Sequence, residues 1–393
     1  MKKLQFIILC VLCTTMYAQV TVSTITTDFK GSGGLSLDND GNLYIGDFGD
    51  FLGMPDTDGQ PNHVMKLDTD LNLTQYSTGF VGASGNDFDS NGILYQSDIR
   101  DNAIYKIIGG IRTFVTSTGI VSPVGIVFDS NDNFYVCNCG DGTIRKVTPS
   151  GISTQFASGG MFACPNGITV DENDNLYVSN FSNTNIVKIT PTGVTSILGN
   201  TTAGNGHLDY DENSRNLYIA SYSGQQIFSL NIDTSEIQVI AGTGVRGNDD
   251  GLGSNATFST PNGVAVSKTG DSIYINCAVP LTGVFINPQI VRLITGLTLS
   301  IDEYAESSFN VKAYPTPTFD MITVEANLYS EYSNLVLNVY DLSGRLLLEK
   351  KDIILKENHL NETIDISNFR TGTYLYSVNE ASIQLFNGKI IKK

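Results

Sequence analysis

The chain has 393 residues, of which 41% are hydrophobic, and a formal net charge of -17 at pH 7. This length suffices for one large and one small domain, and the excess of Asp and Glu repels nucleic-acid backbones and anionic lipid surfaces. We therefore expect no nucleic-acid partner. Beyond the first 18 residues no apolar stretch approaches membrane-spanning length, so no transmembrane segment is predicted.

The N-terminal 18 residues have the three parts of a secretory signal peptide. Two lysines precede the apolar run Leu4–Leu12, and Met16–Ala18 is the cleavage region, which ends in the small residue Ala18. The run is too short and wrongly flanked for a membrane anchor. We predict that residues 1–18 are removed on export and that the mature chain begins near Gln19.

One pattern then recurs six times between Leu35 and Asn276. A glycine-led apolar strand is followed by a turn of Asp, Asn and Gly, and then by a strand centred on a tyrosine. These tyrosines are Tyr44, Tyr95, Tyr135, Tyr177, Tyr218 and Tyr274. A repeat of roughly 40 residues that contains only strands and turns is typical of a β-propeller with one four-stranded blade per copy. The sequence predicts an all-β fold, with residues 19–299 forming a six-bladed propeller.

The fourth copy shows how one repeat makes a blade. Gly167–Val170 alternates apolar and small residues, as an inner strand does, and Asp171–Asn175 consists of turn-forming residues. Leu176–Ser179 is the second strand of this hairpin. Ile186–Ile189 and Val194–Leu198 complete a four-stranded meander. The sixth copy has no clear fourth strand, and residues 20–29 resemble an outer strand without a blade. We predict that residues 20–29 complete the sixth blade and so remove an open sheet edge.

The segment between the fifth and sixth copies carries a family resemblance. This segment closely resembles the sequences of NHL-repeat propellers. The resemblance lies in Ile240–Gly244, Gly247–Gly251, Ala256–Phe258 and Pro261–Val266. With the tyrosine strands, the resemblance covers residues 20 to 299. It implies the propeller fold, whereas propellers of this type serve as binding surfaces, as scaffolds and, less often, as enzymes.

Four cysteines lie beyond the signal peptide, and in an exported chain they favour a disulfide over a metal tetrad, which their spacing does not offer. Cys139 closes the Tyr135 strand and Cys164 opens the next repeat, on the same face of neighbouring blades. We predict a Cys139–Cys164 disulfide. Cys137 and Cys277 fall in opposite blades and should not meet.

The residue before each inner-strand glycine should face the mouth of the central channel. Four candidate ligand-binding residues follow from this rule and from the neighbouring histidine: Ser84, Asn166, His207 and Asn262. Asp249 and Asp250, in the long loop before the sixth copy, are further candidates. A Ser-His-Asp triad would have to be built around His207, and no nucleophile-elbow pattern accompanies it.

Six-bladed lactone hydrolases of the gluconolactonase and regucalcin type hold a divalent metal at this mouth on Glu, Asn and Asp side chains. Asn166 and Asn262 match two such ligands in this resemblance, but residues 31–34 contain no Glu and no clear Asp completes the set. Two neutral amides alone hold a metal weakly. The sequence therefore favours a non-catalytic module that binds a glycan, a peptide or a small molecule, without a cofactor. A metal-dependent lactone hydrolase or related lyase stays open as the alternative.

Residues 300–308 are acidic and rich in small residues, which predicts a linker, and residues 309–393 read as a small β-sandwich. The order of motifs in that sandwich resembles the type A sorting domain of the bacterial type IX secretion system, although Thr316 replaces the usual Asn. The motif residues are Tyr340, Asp341, Gly344, Gly372, Tyr374, Lys392 and Lys393. The resemblance implies the type IX machinery as a partner and a secreted or outer-membrane surface location in a Gram-negative bacterium. Whether the tail is cut off after export, as is common in that family, stays open.

Overall fold

The computed structural model describes residues 20–50, 59–283, 285–297, 310–328, 335–341, 345–353, 355, 358–380 and 383–393. The predicted signal peptide and linker lie outside these residues. The chain divides into two compact units, Met1–Thr298 and Leu299–Lys393. Every regular element of the described residues is a β-strand, which confirms the all-β fold class.

The first unit begins with β1 (Thr21–Thr24) and continues with five antiparallel four-stranded meanders, which we number sheets 1 to 5. Sheet 1 contains β2 (Leu35–Leu37), β3 (Leu43–Gly46), β4 (Asn62–Leu67) and β5 (Leu73–Phe80). Sheet 2 contains β6 (Ala83–Phe88), β7 (Leu94–Asp98), β8 (Ala103–Ile108) and β9 (Ile111–Thr116). Sheet 3 contains β10 (Pro123–Phe128), β11 (Phe134–Asn138), β12 (Thr143–Val147) and β13 (Ser153–Ser158). Sheet 4 contains β14 (Pro165–Val170), β15 (Leu176–Asn180), β16 (Asn185–Ile189) and β17 (Thr195–Asn200). Sheet 5 contains β18 (Leu208–Asp211), β19 (Asn216–Ser221), β20 (Gln226–Asn231) and β21 (Ile237–Ala241).

Sheet 6 joins the two ends of this unit. Its strands are β22 (Gly251–Leu252), β23 (Val264–Val266), β24 (Ser272–Ala278) and β25 (Gln289–Thr295), together with β1. The order is β22-β1-β25-β24-β23, and β1 pairs antiparallel with β25 so that Val22 lies opposite Ile294. The N-terminal strand thus covers the edge of the last long strand, and β22 covers β1 in turn.

The sheets form a closed ring through their first strands. The first strands of sheets 1 to 6 are β2, β6, β10, β14, β18 and β23. Each contacts the first strand of the following sheet, and β23 of sheet 6 contacts β2 of sheet 1, which closes the ring. The repeat needs glycine here because the backbones approach closely: a Cβ on Gly85 would lie 2.4 Å from the carbonyl oxygen of Val124 in the next sheet. This is the arrangement of a β-propeller around a central channel.

In sheets 1, 3 and 4 the Asp of the turn and the repeat tyrosine stabilise the same hairpin. In sheet 3 the Asp129 carboxylate accepts backbone N–H groups of Asn131 and Asn133 and the Tyr135 hydroxyl. Sheet 4 repeats this geometry around Asp171. These carboxylates are occupied by hydrogen-bond donors, so the turns have a structural role.

The second unit is a small β-sandwich. One sheet contains β26 (Asn310–Tyr314), β27 (Met321–Asn327) and β30 (His359–Asp365), in that order. The other contains β29 (Leu346–Ile353), β28 (Leu335–Tyr340), β31 (Gly372–Glu380) and β32 (Ile383–Lys392), in that order. Leu335, Leu337 and Val339 alternate into one continuous core with side chains from both sheets.

Candidate functional site

A cavity of about 620 Å³ opens at one end of the central channel, and all six sheets contribute to its lining. Its volume is in the range of small-molecule sites. Three of the predicted residues line it together, namely Ser84, Asn166 and Asn262. We call these three residues the floor of the cavity.

Hydrogen bonds between sheets fix the orientation of the two floor amides. Asn166 Nδ2 donates to the carbonyl oxygen of Asn205 at 3.0 Å, and Asn262 Nδ2 donates to that of Ser32 at 2.7 Å. Because a carbonyl can only accept, each amide nitrogen must face its partner and each Oδ1 turns the other way. In the described part of the chain neither Oδ1 receives a hydrogen bond. The floor therefore offers two neutral acceptors whose positions are set in advance.

The rest of the cavity is largely apolar, and sequence reasoning missed most of it. Five lining residues share one repeat position, four residues after the repeat tyrosine, and we call them the wall. They are Phe48, Ile99, Cys139, Phe181 and Tyr222. The Phe181 and Tyr222 rings lie with their centroids 5.1 Å apart at an interplanar angle of 57°, and both are only partly buried. The periodicity of this position was the signal in the sequence that could have found the wall.

A disulfide and side-chain hydrogen bonds anchor three of the loops that carry the wall, those of Ile99, Cys139 and Phe181. Cys139 and Cys164 form a disulfide that joins the end of β11 to the start of β14. The side chain three residues after the repeat tyrosine also anchors the incoming chain in sheets 2, 3 and 4. In each of these sheets its oxygen accepts the backbone N–H of the residue 17 positions earlier, in the pairs Asp98 with Val81, Asn138 with Val121, and Asn180 with Ala163. Cys137 and Cys277 are buried free thiols.

His207 occupies a position that is glycine in the other five repeats. Its imidazole extends toward sheet 1, where a Cβ on Gly34 would lie 2.8 Å from its Cε1. The ring is buried, which lowers the pKa of His207 to about 4, so the side chain is neutral at physiological pH. Its Nε2 has no hydrogen-bond partner in the described part of the chain. His207 thus fills the channel below the floor and does not line the cavity.

Two carboxylates that the sequence analysis did not single out lie two residues deeper along the inner strands. Asp87 accepts the Phe128 N–H at 3.1 Å, and Asp209 accepts the Val266 N–H at 2.8 Å, in each case from the next sheet. Burial raises the pKa of Asp87 to about 7 and that of Asp209 to about 6. Both side chains satisfy inner-strand N–H groups that have no strand partner on the channel side.

The loop candidates Asp249 and Asp250 lie by the closing strand. Asp250 forms an ion pair with Arg292 at 2.8 Å, and its carboxylate also accepts the Thr24 backbone N–H at 3.0 Å and the Thr24 hydroxyl at 2.9 Å. The Asp249 carboxylate accepts the Thr257 hydroxyl at 3.1 Å. Their observed contacts tie the loop to β1 and β25, and neither residue lines the cavity.

The described residues do not fit the metal of the lactone hydrolases. Among them, no group of three or more His, Cys, Asp or Glu side chains is arranged to hold a metal ion. The cavity lining contains no carboxylate in that same part of the chain. Asn166 and Asn262 would supply two neutral oxygens, which bind divalent cations weakly.

The predicted sorting-motif residues have defined places in the sandwich. The Asp341 carboxylate accepts the Arg345 backbone N–H at 3.0 Å, and the Tyr374 hydroxyl donates to the Arg370 carbonyl at 2.7 Å. Tyr340 ends β28 and Gly372 begins β31, whereas Gly344 lies outside the described residues.

The C-terminal lysines contact the segment before β27. Lys392 is 7% exposed and its Nζ donates to the Phe319 carbonyl, while Lys393 Nζ lies 5.9 Å from the centre of the Phe319 ring. The Lys393 N–H also donates to the Thr318 carbonyl at 2.8 Å. In this structure the end of the chain is an integral part of the sandwich.

In the described residues no helix is long and apolar enough to span a membrane. Comparison with curated proteins finds no match. Residues 312–393 match the family model of the secretion system C-terminal sorting domain. This match indicates export through type IX secretion to the cell surface or the medium.

Several solved structures are similar to about 70% of this chain. One is a structural genomics protein of unknown function from Bacteroides thetaiotaomicron, 17% identical, with a TM-score of 0.57, covering 70% of this chain and 76% of that chain. Another is an auxiliary nutrient binding protein from the same organism, 14% identical, with a TM-score of 0.54 and the same coverage. A third is a gluconolactonase from Xanthomonas campestris, 13% identical, with a TM-score of 0.53, covering 71% of this chain and 91% of that chain. At these identities the likeness shows the fold alone. The chain therefore combines a β-propeller with a secretion system C-terminal sorting domain at residues 312–393.

Proposed function

We propose that this protein is an exported, non-catalytic binding module that captures a small molecule in the cavity at the mouth of the channel. The observation that carries this proposal is the combination of an apolar wall, which includes Phe181 and Tyr222, with the two floor amides, whose nitrogens are bonded to neighbouring sheets and whose Oδ1 atoms receive no hydrogen bond from the described residues. A concave, mostly apolar surface with a few fixed polar groups is the usual form of a small-molecule site.

The anchoring of part of the wall supports binding. The Cys139–Cys164 disulfide and the hydrogen bonds of Asp98, Asn138 and Asn180 fix the loops of Ile99, Cys139 and Phe181 before a ligand arrives. Ordering loops on binding costs affinity, and a site formed in advance avoids much of that cost. An auxiliary nutrient binding protein among the structures of similar fold is in keeping with this role.

The proposal also includes the route of export, which depends on a signal at each end of the chain. The signal peptide at residues 1–18 would direct the chain across the inner membrane, and the sorting domain at residues 312–393 would direct it across the outer membrane. Removal of residues 312–393 should therefore trap the propeller in the periplasm. Immunoblots of periplasm, cell surface and medium would measure this, and unchanged surface or medium levels would contradict it.

A metal-dependent lactone hydrolase is the alternative that a gluconolactonase of similar fold raises. It requires a divalent metal at the mouth, and metal binding to the folded state raises the melting temperature by mass action. We expect no rise with Ca²⁺, Mn²⁺ or Zn²⁺. A saturable rise that Asn166→Ala abolishes would favour the enzyme instead.

The direct test is a binding screen of the purified full chain against saccharides and aromatic metabolites by isothermal titration calorimetry. A ligand of the cavity should lose at least tenfold in affinity with Tyr222→Ala. Phe114→Ala is the matched control, because Phe114 is an exposed aromatic residue on β9, away from the cavity. If no compound binds, or if Tyr222→Ala binds like the control, the proposed function is wrong.

A further inference from the structure

The geometry of the cavity points to a neutral saccharide as its ligand, with ring hydroxyls directed at the Asn166 and Asn262 Oδ1 atoms and the C–H face of the ring against Phe181. This inference rests on the proposed function and narrows it to one class of compound. It follows from three features of the cavity: its hydrogen-bonding groups, its aromatic wall and its charge.

The floor requires a ligand that donates hydrogen bonds. The two Oδ1 atoms are acceptors with their nitrogens already engaged, at 3.0 and 2.7 Å, by the neighbouring sheets. A ligand that covered them without donors would remove water from both and leave them unpaired, which weakens binding by roughly tenfold or more for each group. Ser84 adds a hydroxyl that donates or accepts. Closely spaced hydroxyls satisfy all three groups, and a purely aromatic compound satisfies none.

The wall requires an apolar face on the same ligand. Phe181 and Tyr222 are partly exposed and meet at 57°, so their faces cannot both stack flat on one planar aromatic ring. A pyranose ring has an apolar C–H face and a hydroxyl edge. This division of apolar and polar surface matches the separation of the wall from the floor.

The charge of the cavity disfavours charged ligands. Among the described residues no carboxylate lines it, so an ammonium group would find no ion-pair partner. Its only cationic lining residue in that part of the chain is Arg100, whose Nη1 donates to the carbonyl oxygens of Phe48 and Val81. The net charge of -17 repels anions over the whole molecule. A neutral ligand meets neither penalty.

Phe181 allows a test that separates a saccharide from other ligands. The full chain and its Phe181→Tyr and Phe181→Leu variants would be titrated calorimetrically with neutral mono- and disaccharides, and with indole and phenol derivatives as the second panel. Phe181→Tyr keeps the ring face and should retain saccharide affinity within about threefold. Phe181→Leu keeps an apolar side chain but loses the face and should weaken saccharide binding at least tenfold. Phe114→Leu, on the exposed surface of β9, is the matched control and should bind like the parent.

The outcomes distinguish this inference from the proposed function. Saccharide binding that depends on the ring at position 181 supports both. Binding of indole or phenol derivatives in the cavity, without saccharide binding, overturns the saccharide assignment and leaves the proposed function standing. Equal saccharide affinity in Phe181→Leu and the parent also overturns the assignment. Failure of both panels overturns the saccharide assignment and the proposed function together.

Discussion

Closure of the propeller ring should depend on Asp250, and its replacement by alanine tests this. The Asp250 carboxylate accepts the backbone N–H and the hydroxyl of Thr24 on β1, and it pairs with Arg292 on β25. Arg292 is fully buried, and its guanidinium donates to the backbone oxygens of Thr257 and Asp249. Asp250 therefore joins the first and last strands of the unit and is the acidic partner of a buried cation.

The expected loss follows from these contacts. Hydrogen bonds to charged groups contribute about 1.5–3 kcal/mol each when buried, and exposed ion pairs contribute about 0–1 kcal/mol. The Asp250 side chain is 48% exposed whereas that of Arg292 is 0% exposed, so the pair lies between these limits. We expect Asp250→Ala to lower the free energy of unfolding by about 2–3 kcal/mol. In a domain of this size the melting temperature should fall by roughly 4–10 °C.

Two measurements on the full chain would check this expectation. Thermal unfolding gives the melting temperature, and hydrogen exchange followed by mass spectrometry reports on β1 directly, where Asp250→Ala should release the Thr24 amide first. Asp40→Ala is the control, because Asp40 is an exposed acidic residue in the sheet 1 hairpin. If the two variants melt within 1 °C of each other, or if β1 keeps its protection, this account of ring closure is wrong.

Three further predictions concern the framework of the cavity. Replacing Cys139 and Cys164 together by serine should lower the free energy of unfolding by about 3.5 kcal/mol, which is the loop-closure entropy for a separation of 25 residues. Chemical denaturation would measure this loss. An unchanged denaturation midpoint would show that the disulfide does not constrain the unfolded chain. Burial raises the pKa of Asp87 from 3.8 to about 7, so the folded state holds a proton that the unfolded state releases, and stability should fall as pH rises across that window. The melting temperature of Asp87→Asn relative to that of the parent should therefore rise as the pH increases from 4 to 7 and stay constant above pH 7. A difference in melting temperature that does not change with pH would refute the raised pKa of Asp87. Gly125→Ala should cost about 1–3 kcal/mol, because its Cβ would lie 2.5 Å from a backbone oxygen of sheet 4, while Gly160→Ala, with no atom within 4 Å of its Cβ, should melt like the parent.

The fold could be predicted because its signals are local and repeated. In the first, third and fourth repeats the Asp of the turn and the tyrosine six positions later contact each other within one hairpin, as Asp129 and Tyr135 do. Five of the six repeats have a glycine at the same position of the first strand, beside the channel, so the preceding residues Asn166 and Asn262 could be placed at the mouth. The all-β propeller and the sorting domain are both confirmed on this basis.

The wall of the cavity and the contacts between sheets were not readable in the same way. Phe181 and Tyr222 share one repeat position, four residues after the tyrosine, but the residue type at that position varies between repeats and does not show which side chains line a cavity and which enter the core. The roles of Asp87 and Asp250 depend on partners about 40 residues away, the Phe128 N–H and the Arg292 guanidinium. Such partners follow from the ring geometry and not from the local pattern.

The most direct test of the central claim is a crystal structure of the full chain soaked with the tightest ligand from the binding screen. We predict electron density for that ligand in the cavity, with a polar group within hydrogen-bond distance of the Asn166 or Asn262 Oδ1 and an apolar face against Phe181. Density elsewhere on the propeller, with the cavity holding only water, would contradict the claim that the mouth of the channel is the functional site.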